Sequence, residues 1–98
     1  MLIKIHDSYR EVIAICDKSL LGEKFEDGKK QLHIKEGFFG GKNIEKGELI
    51  DKMKDYDKED ATFNIVGENS VNAALEAEII NKEGIKKVEG IPFALVLL

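Results

Sequence analysis

An unbroken apolar run at residues 12–16 limits the fold of this chain more than any other feature of its sequence. The run extends from Val12 to Cys16 without a polar residue. A strand with one face in water alternates apolar and polar residues, whereas an uninterrupted run is typical of a strand covered on both faces. We therefore expect a strand here that is buried on both of its faces.

Strand signals occur in six segments, as alternation or as short apolar runs between turn residues. The first two segments flank turn residues and predict a β-hairpin. The fourth predicts a short strand or an extended approach to a helix. In chain order the six segments are residues 2–6, 12–16, 31–35, 61–67, 85–88 and 91–98.

Two further segments carry the apolar stripe of an amphipathic helix. Asn43 is the predicted N-cap of the first helix, which runs to about Tyr56. Asn69 or Ser70 is the predicted N-cap of the second helix, which ends between residues 81 and 84.

Together these elements predict a single α+β domain over residues 1–98, the size of one small domain. Two helices pack on a mixed sheet, and the order along the chain is β-β-β-α-β-α-β-β. Gly67, between the fourth strand and the second helix, is expected to have a positive φ or a close backbone contact that a side chain would obstruct. The predicted core contains Ile3, Ile5, Ile13, Ile15, Leu32, Ile34, Leu49, Met53, Ile65, Val71, Leu75 and Val96.

Charge and composition exclude several classes of protein. The formal net charge is −4, so the overall field does not attract nucleic acid or an anionic membrane. A single cysteine excludes an intramolecular disulfide framework. No apolar run approaches the roughly 18 residues of a membrane span, and the first residues do not resemble a secretion signal. We expect a cytoplasmic protein without membrane contact, and its oligomeric state stays open.

The residues that most often bind metals or act as nucleophiles match no known pattern. Cys16, His6 and His33 lack the spacing of a zinc site. The two histidines lie on the polar side of predicted strands and are expected to be solvated, and Cys16 is expected to be a small buried apolar residue. We therefore predict no metal, no cofactor and no catalytic residues, which favours a protein that is not an enzyme.

A glycine-rich segment around two aromatic residues is the first candidate binding site. Its candidate binding residues are Phe39, Gly40, Gly41 and Lys42. Because neighbouring residues of an extended segment point to opposite sides, the pattern of the preceding strand predicts Phe38 inside and Phe39 exposed. An exposed ring beside lysines can stack on a base or on a partner side chain. The alternative is that both rings pack within the protein.

The junction between the fourth strand and the second helix is the second candidate. Its candidate residues are Asn64, Gly67, Glu68 and Asn69. Free amides at a helix start can hold an anion. The helix field supplies only about 0.3–1 kcal/mol, whereas micromolar binding needs roughly 8 kcal/mol. The alternative is a tight turn followed by a capped helix.

Three segments together resemble a known family. They are Gly37-Phe38-Phe39-Gly40-Gly41, Asn64-Ile65-Val66-Gly67-Glu68-Asn69-Ser70-Val71 and Gly90-Ile91-Pro92-Phe93-Ala94. The chain resembles, over its whole length, the uncharacterised archaeal family called domain of unknown function 424. It departs from the family pattern at Phe93, where a polar or ring-nitrogen residue is usual, so no acid–base role is expected there. The resemblance implies an archaeal cytosolic protein associated with translation and RNA handling.

The sequence thus leads to two hypotheses about function. The first is a non-catalytic binding module that acts through RNA or through a protein of the translation machinery. A face with Lys4, His6, His33 and Lys35 would supply its phosphate contacts. The second is a small enzyme or small-ligand binder at the junction of residues 64–69, which a deep pocket lined by those residues, with a raised pKa of Glu68, would favour.

Overall fold

The computed structural model describes residues 1–97, which form eight strands and three helices. Two short 3-10 turns, Lys18–Leu20 and Lys82–Gly84, connect some of them. In chain order the elements are β1 (Leu2–His6), β2 (Val12–Cys16), β3 (Lys24–Asp27), β4 (Lys30–His33), α1 (Glu36–Phe39), β5 (Lys42–Asn43), α2 (Lys46–Lys58), β6 (Thr62–Val66), α3 (Glu68–Glu76), β7 (Lys86–Val88) and β8 (Ile91–Val96).

Six of the strands form one mixed sheet in the order β5-β1-β2-β6-β8-β7. β2 and β6 are parallel neighbours, with Cys16 opposite Val66, and the other neighbours in this sheet are antiparallel. β3 and β4 form a separate hairpin. Because parallel strands run in the same direction, the residues that follow β2 and β6 meet at one end of the sheet.

The two long helices, α2 and α3, cover one face of the sheet. Side chains from β1, β2 and β6 on this face interdigitate with the apolar stripes of both helices. The buried residues of this layer are Ile3, Ile13, Ile15, Ile44, Leu49, Met53, Ala61, Phe63, Ile65, Val71, Ala73, Ala74 and Ala77.

The β3–β4 hairpin and α1 cover part of the opposite face. Ile34, directly after β4, and Phe39 of α1 pack with Leu2, Ala14, Cys16 and Val66. Residues 13–16 of β2 alternate between the two layers, and all four are fully buried. The prediction that this strand is covered on both faces is confirmed.

The predicted α+β fold with a mixed sheet is confirmed, and the structure adds β3, α1 and β5. The strand predicted at residues 31–35 is β4, which pairs with β3 outside the main sheet. The sequence pattern does not reveal β3, because Phe25 is its single apolar residue. The terminal strand ends at Val96, and Leu98, to which it was predicted to extend, lies outside the described residues.

Both long helices begin at residues other than those predicted. Asn43, the expected N-cap of the first, lies in β5, and α2 begins at Lys46. α3 begins at Glu68, before either of its expected caps, Asn69 and Ser70. An acceptor from outside the helix, the carboxylate of Asp17 directly after β2, stabilises this early start by accepting from the Asn69 and Ser70 amides.

The second helix also ends earlier than predicted. α3 stops at Glu76, because Glu78 has a φ of +61°, which lies outside the α-helical range.

In the described part of the chain, no helix has both the length and the apolar character that crossing a membrane demands.

Most of the predicted core is buried, but Ile5 is not. Ile5 is 38% exposed. The edge strand β5 pairs with β1 only at Leu2 and Ile3, so the edge of β1 at Ile5 has no neighbouring strand. Leu32, Leu75 and Val96 are half-buried and pack against the core from its margins.

Candidate functional site

The junction after β6 is built around Asp17, the residue that follows β2. Its N–H donates to the carbonyl of Val66 at 3.1 Å. One carboxylate oxygen of Asp17 accepts from the Ser70 N–H and the Ser70 hydroxyl, both at 2.8 Å, and the other accepts from the Asn69 N–H at 3.1 Å. Asp17 is buried, so this carboxylate caps α3 from within the protein. The amides expected to be open to an anion are thus already used.

Gly67 lies directly beside this carboxylate. Its φ is +107°, and a Cβ placed on it would overlap the Asp17 side chain. Its N–H donates to the Pro92 carbonyl at 2.8 Å, which ties the junction to β8. The prediction of a positive φ and a close contact at Gly67 is confirmed, and the tight turn with a capped helix is the arrangement found.

The four candidate residues of the junction do not share one pocket. Asn64 is in the middle of β6. Gly67 and Glu68 line a depression of about 170 Å³, and Asn69 lines a separate cavity of about 510 Å³ beside the start of α2. The deep pocket that would favour the enzyme hypothesis is therefore not formed by this set of residues.

The aromatic segment is a short helix rather than an extended loop. In α1, Phe39 is 6% exposed and packs in the core, whereas Phe38 is half-buried. The prediction of Phe38 inside and Phe39 exposed is wrong, because side chains of a helix do not alternate between two sides. The rings contact each other edge to face, with centroids 5.0 Å apart.

The basic residues near α1 bind its backbone carbonyls. His6 stacks on Phe38 with ring centroids 4.6 Å apart, and its Nε2 lies 2.9 Å from the Phe38 carbonyl oxygen. Lys4 donates to the Gly37 carbonyl at 2.8 Å. His33 lies in β4, on the separate hairpin. The basic face predicted for phosphate contacts is thus partly committed to holding α1 in place.

The two glycines after α1 allow close backbone packing. A Cβ on Gly40 would lie 2.5 Å from the Glu36 carbonyl oxygen, and a Cβ on Gly41 would overlap the backbone of Ile3. Lys42 follows in β5, opposite Ile3, and is exposed. Gly40 and Gly41 therefore let the chain pass from α1 onto the edge of β1.

A cleft that the sequence did not indicate opens between the β3–β4 hairpin and the edge formed by β7 and β8. Its volume is about 420 Å³, within the usual range for ligand sites. Phe93 and Leu95 are among its apolar lining residues, and Leu95 is 54% exposed. We call this site the lysine cleft and define it by Lys30, Gln31, Lys86, Lys87, Phe93 and Leu95.

The charge of the lysine cleft is opposite to that of the whole protein. Lys30, Lys86 and Lys87 are exposed, and no acidic side chain lines the cleft. Within residues 1–97, none of these three lysines forms a salt bridge. The net charge of the chain is −4. The cleft therefore combines apolar side chains with three lysines that form no salt bridge in the described chain, an arrangement suited to an anionic ligand.

A comparison with known protein families assigns this chain to one of them. Residues 5–98 match the family described as "Protein of unknown function (DUF424)". The chain belongs to this family. The resemblance indicated by the three motif segments is confirmed, and two of them meet at the junction of this DUF424 chain, where Gly67 bonds to Pro92.

A solved structure shares the fold of this DUF424 chain. It is the crystal structure of an uncharacterized conserved protein from Methanopyrus kandleri, 27% identical in sequence, with a TM-score of 0.86. The similarity covers 97% of this chain and 88% of that chain. A comparison with curated proteins finds no match. The comparisons thus establish the family and the fold.

The single cysteine of this DUF424 chain has a thiol of low reactivity. Cys16 is free and buried, as predicted. Burial raises the pKa of its thiol to about 11, and the neighbouring charge of Asp17 adds to this effect. The thiol therefore stays protonated at neutral pH and is a weak nucleophile.

Across residues 1–97, no three His, Cys, Asp or Glu side chains are grouped to hold a metal ion.

We expect Asp17→Asn to lower the free energy of unfolding by about 1–3 kcal/mol. The change removes the charge from an acceptor of three hydrogen bonds at the start of α3, and one amide hydrogen must face a donor. Urea unfolding measures this loss. Asp51→Asn, on the exposed side of α2, is the matched control and should change stability by less than about 0.5 kcal/mol. Equal effects of the two changes would contradict the capping assignment.

Proposed function

We propose that this protein is a non-catalytic binding module that holds an anionic macromolecule in the lysine cleft. The observation that carries the proposal is the charge pattern of the cleft. Three exposed lysines line the cleft together with Phe93 and Leu95, and no carboxylate lines it. Lys86 lies on the sheet face that Phe93 occupies, and Lys87 lies on the opposite face. The lysines attract the negative charges of a partner, and the exposed part of Leu95 supplies apolar surface to bury.

The family resemblance indicates the cellular machinery in which the proposed partner is found. It implies an archaeal cytosolic protein associated with translation and RNA handling, and the Methanopyrus kandleri origin of the similar structure supports the archaeal part. RNA and the acidic segments of proteins in that machinery both carry the required negative charge. The proposed partner therefore comes from this machinery and is selected first by its charge.

The test removes the three cleft lysines and measures binding by fluorescence anisotropy. The probes are a labelled glutamate-rich peptide and a labelled single-stranded RNA oligonucleotide. Lys30→Gln, Lys86→Gln and Lys87→Gln together should weaken binding of the favoured probe about tenfold. Three exposed ionic contacts of about 0.5 kcal/mol each account for this factor. Added salt should weaken binding to the unchanged protein.

The matched control carries the same change of charge elsewhere. Lys18, Lys54 and Lys58 are also exposed and do not line the lysine cleft. Changing these three to Gln lowers the formal net charge from −4 to −7, because each change removes one positive charge, as in the cleft variant. Binding should stay within about twofold of the unchanged protein. Equal losses in the two variants, or no binding of either probe, would overturn the proposal.

A further inference from the structure

The edge of β8 beside the lysine cleft has no strand next to it. β7 pairs with β8 only as far as Lys86 opposite Phe93, whereas β8 continues to Val96. The Pro92 carbonyl points toward β6, where it accepts from Gly67. Backbone groups alternate along a strand, so those of Phe93 and Leu95 point the other way, toward the β7 side. Phe93 meets Lys86 there, and Leu95 is the next residue whose N–H and C=O point to that side.

The backbone groups of Leu95 are therefore available for pairing. Gly84, the residue that would continue β7 opposite Leu95, belongs to a 3-10 turn, and its N–H bonds to Asn81 instead. Within residues 1–97, no backbone hydrogen bond joins Leu95 to Gly84. An open strand edge is a template for pairing with another extended chain.

We propose that an acidic, extended segment of a protein partner adds to the sheet as a strand along the β8 edge at Leu95. This inference deepens the proposed function and rests on it. The charge of the cleft selects negative groups, and the open edge selects a polypeptide backbone, which RNA lacks. The two features lie in one cleft, because Leu95 lines it together with the three lysines.

The faces of the sheet specify the pattern of side chains in the added segment. Lys86 is opposite Phe93 and Lys87 is opposite Pro92, so the two lysines project to opposite faces of the sheet. Acidic side chains of the segment thus find a lysine on either face. On the hairpin face, an apolar side chain of the segment packs beside Phe93 and Leu95. The segment that fits best carries apolar residues among several acidic ones.

The first experiment tests the backbone pairing with a labelled peptide whose central stretch alternates glutamate and valine and whose two ends carry consecutive glutamates, so that acidic side chains lie on both faces of the strand. Two analogues carry N-methyl groups in the central stretch, one on the valine nitrogens and the other on the glutamate nitrogens, so their charges and side chains are the same. In a paired strand only alternate N–H groups face the neighbour. We expect one analogue to bind about tenfold more weakly than the parent peptide and the other to bind within about threefold of it.

The second experiment removes the donor on the protein side. Leu95→Pro deletes the N–H that faces the open edge and leaves the hydrogen bonds between β8 and β6 in place, which is the position where strands tolerate proline. Leu95→Ala is the matched control, because it shortens the side chain and keeps the N–H. The proline variant should bind the parent peptide about tenfold more weakly than the alanine variant. If circular dichroism shows that the proline variant is unfolded, the two N-methyl analogues decide the question.

The outcomes separate this inference from the proposed function. Peptide binding that depends on the cleft lysines but is equal for both N-methyl analogues overturns strand addition and leaves the binding module intact. An RNA oligonucleotide that displaces the parent peptide at a lower concentration than unlabelled peptide overturns the assignment of an acidic polypeptide. Absence of lysine-dependent binding for every probe overturns the proposed function, and this inference with it.

Discussion

Gly67→Ala is expected to lower the free energy of unfolding by about 3–5 kcal/mol, a large part of the roughly 5–15 kcal/mol of a typical domain. Two costs combine at this position. The φ of +107° is one that residues with a Cβ rarely adopt, and the added methyl group would overlap the Asp17 carboxylate. Displacing that carboxylate also removes the acceptors of the Asn69 and Ser70 amides. Urea unfolding followed by circular dichroism measures the effect.

A second glycine separates the two costs. Gly28 has a φ of +63° in the β3–β4 turn, and a Cβ there would meet no atom within 4 Å. Gly28→Ala should therefore cost only about 1 kcal/mol, from its backbone conformation alone. In an Asp17→Ala background, Gly67→Ala should also cost less than it does alone, because the overlapping carboxylate is gone. A Gly67→Ala cost no greater than that of Gly28→Ala would show that the contact with Asp17 does not matter.

Local sequence patterns predict the strands and much of the core because burial follows short-range periodicity. The run from Val12 to Cys16 indicates a doubly covered strand, and the structure places Ile13 and Ile15 under the helices and Ala14 and Cys16 under the hairpin layer. The conformation of Gly67 is also predicted from its position between an apolar run and a helix. Information of this kind lies within a few neighbouring residues.

The cap on α3 is not predicted because its partners are far apart in the sequence. Asp17 reaches Asn69 and Ser70 only because β2 and β6 are parallel neighbours that end at the same side of the sheet. The sequence does contain one indication of this cap, because Asp17 directly follows the strand that is predicted to be buried. Its meaning depends on which strand becomes the neighbour, and residues 12–17 alone do not specify that.

The lysine cleft is also not predicted from the sequence, because its residues come from segments that are far apart in the chain. Lys30 belongs to the hairpin, and Lys86 and Lys87 belong to an edge strand of the main sheet. Only the docking of the hairpin beside β7 and β8 brings Lys30 into one cleft with Lys86, Lys87, Phe93 and Leu95. The sequence shows residues 91–98 as one apolar strand, and that pattern does not reveal that Leu95 has an open edge.

The glycine-rich aromatic segment shows how a wrong element changes a functional hypothesis. Extended geometry predicts one exposed ring, whereas the single turn of α1 buries Phe39 and leaves Phe38 stacked on His6. A helix of four residues is too short to show a helical period in the sequence. The segment therefore contributes chiefly to the fold, and the surface that we propose for the partner lies at the other end of the sheet order, beside β7 and β8.

Phe39→Ala is accordingly expected to cost about 3–5 kcal/mol of stability, because it removes a buried ring that packs with Leu2, Ile34 and Val66. Phe38→Ala is the matched control and should cost clearly less, since the Phe38 ring is only half-buried. Thermal and urea unfolding measure both changes. Under conditions where each variant stays folded, both should bind an acidic peptide as the unchanged protein does. A Phe39→Ala variant that is stable but no longer binds the peptide would show that the aromatic segment contributes to binding, and it would contradict the assignment of Phe39 to the core.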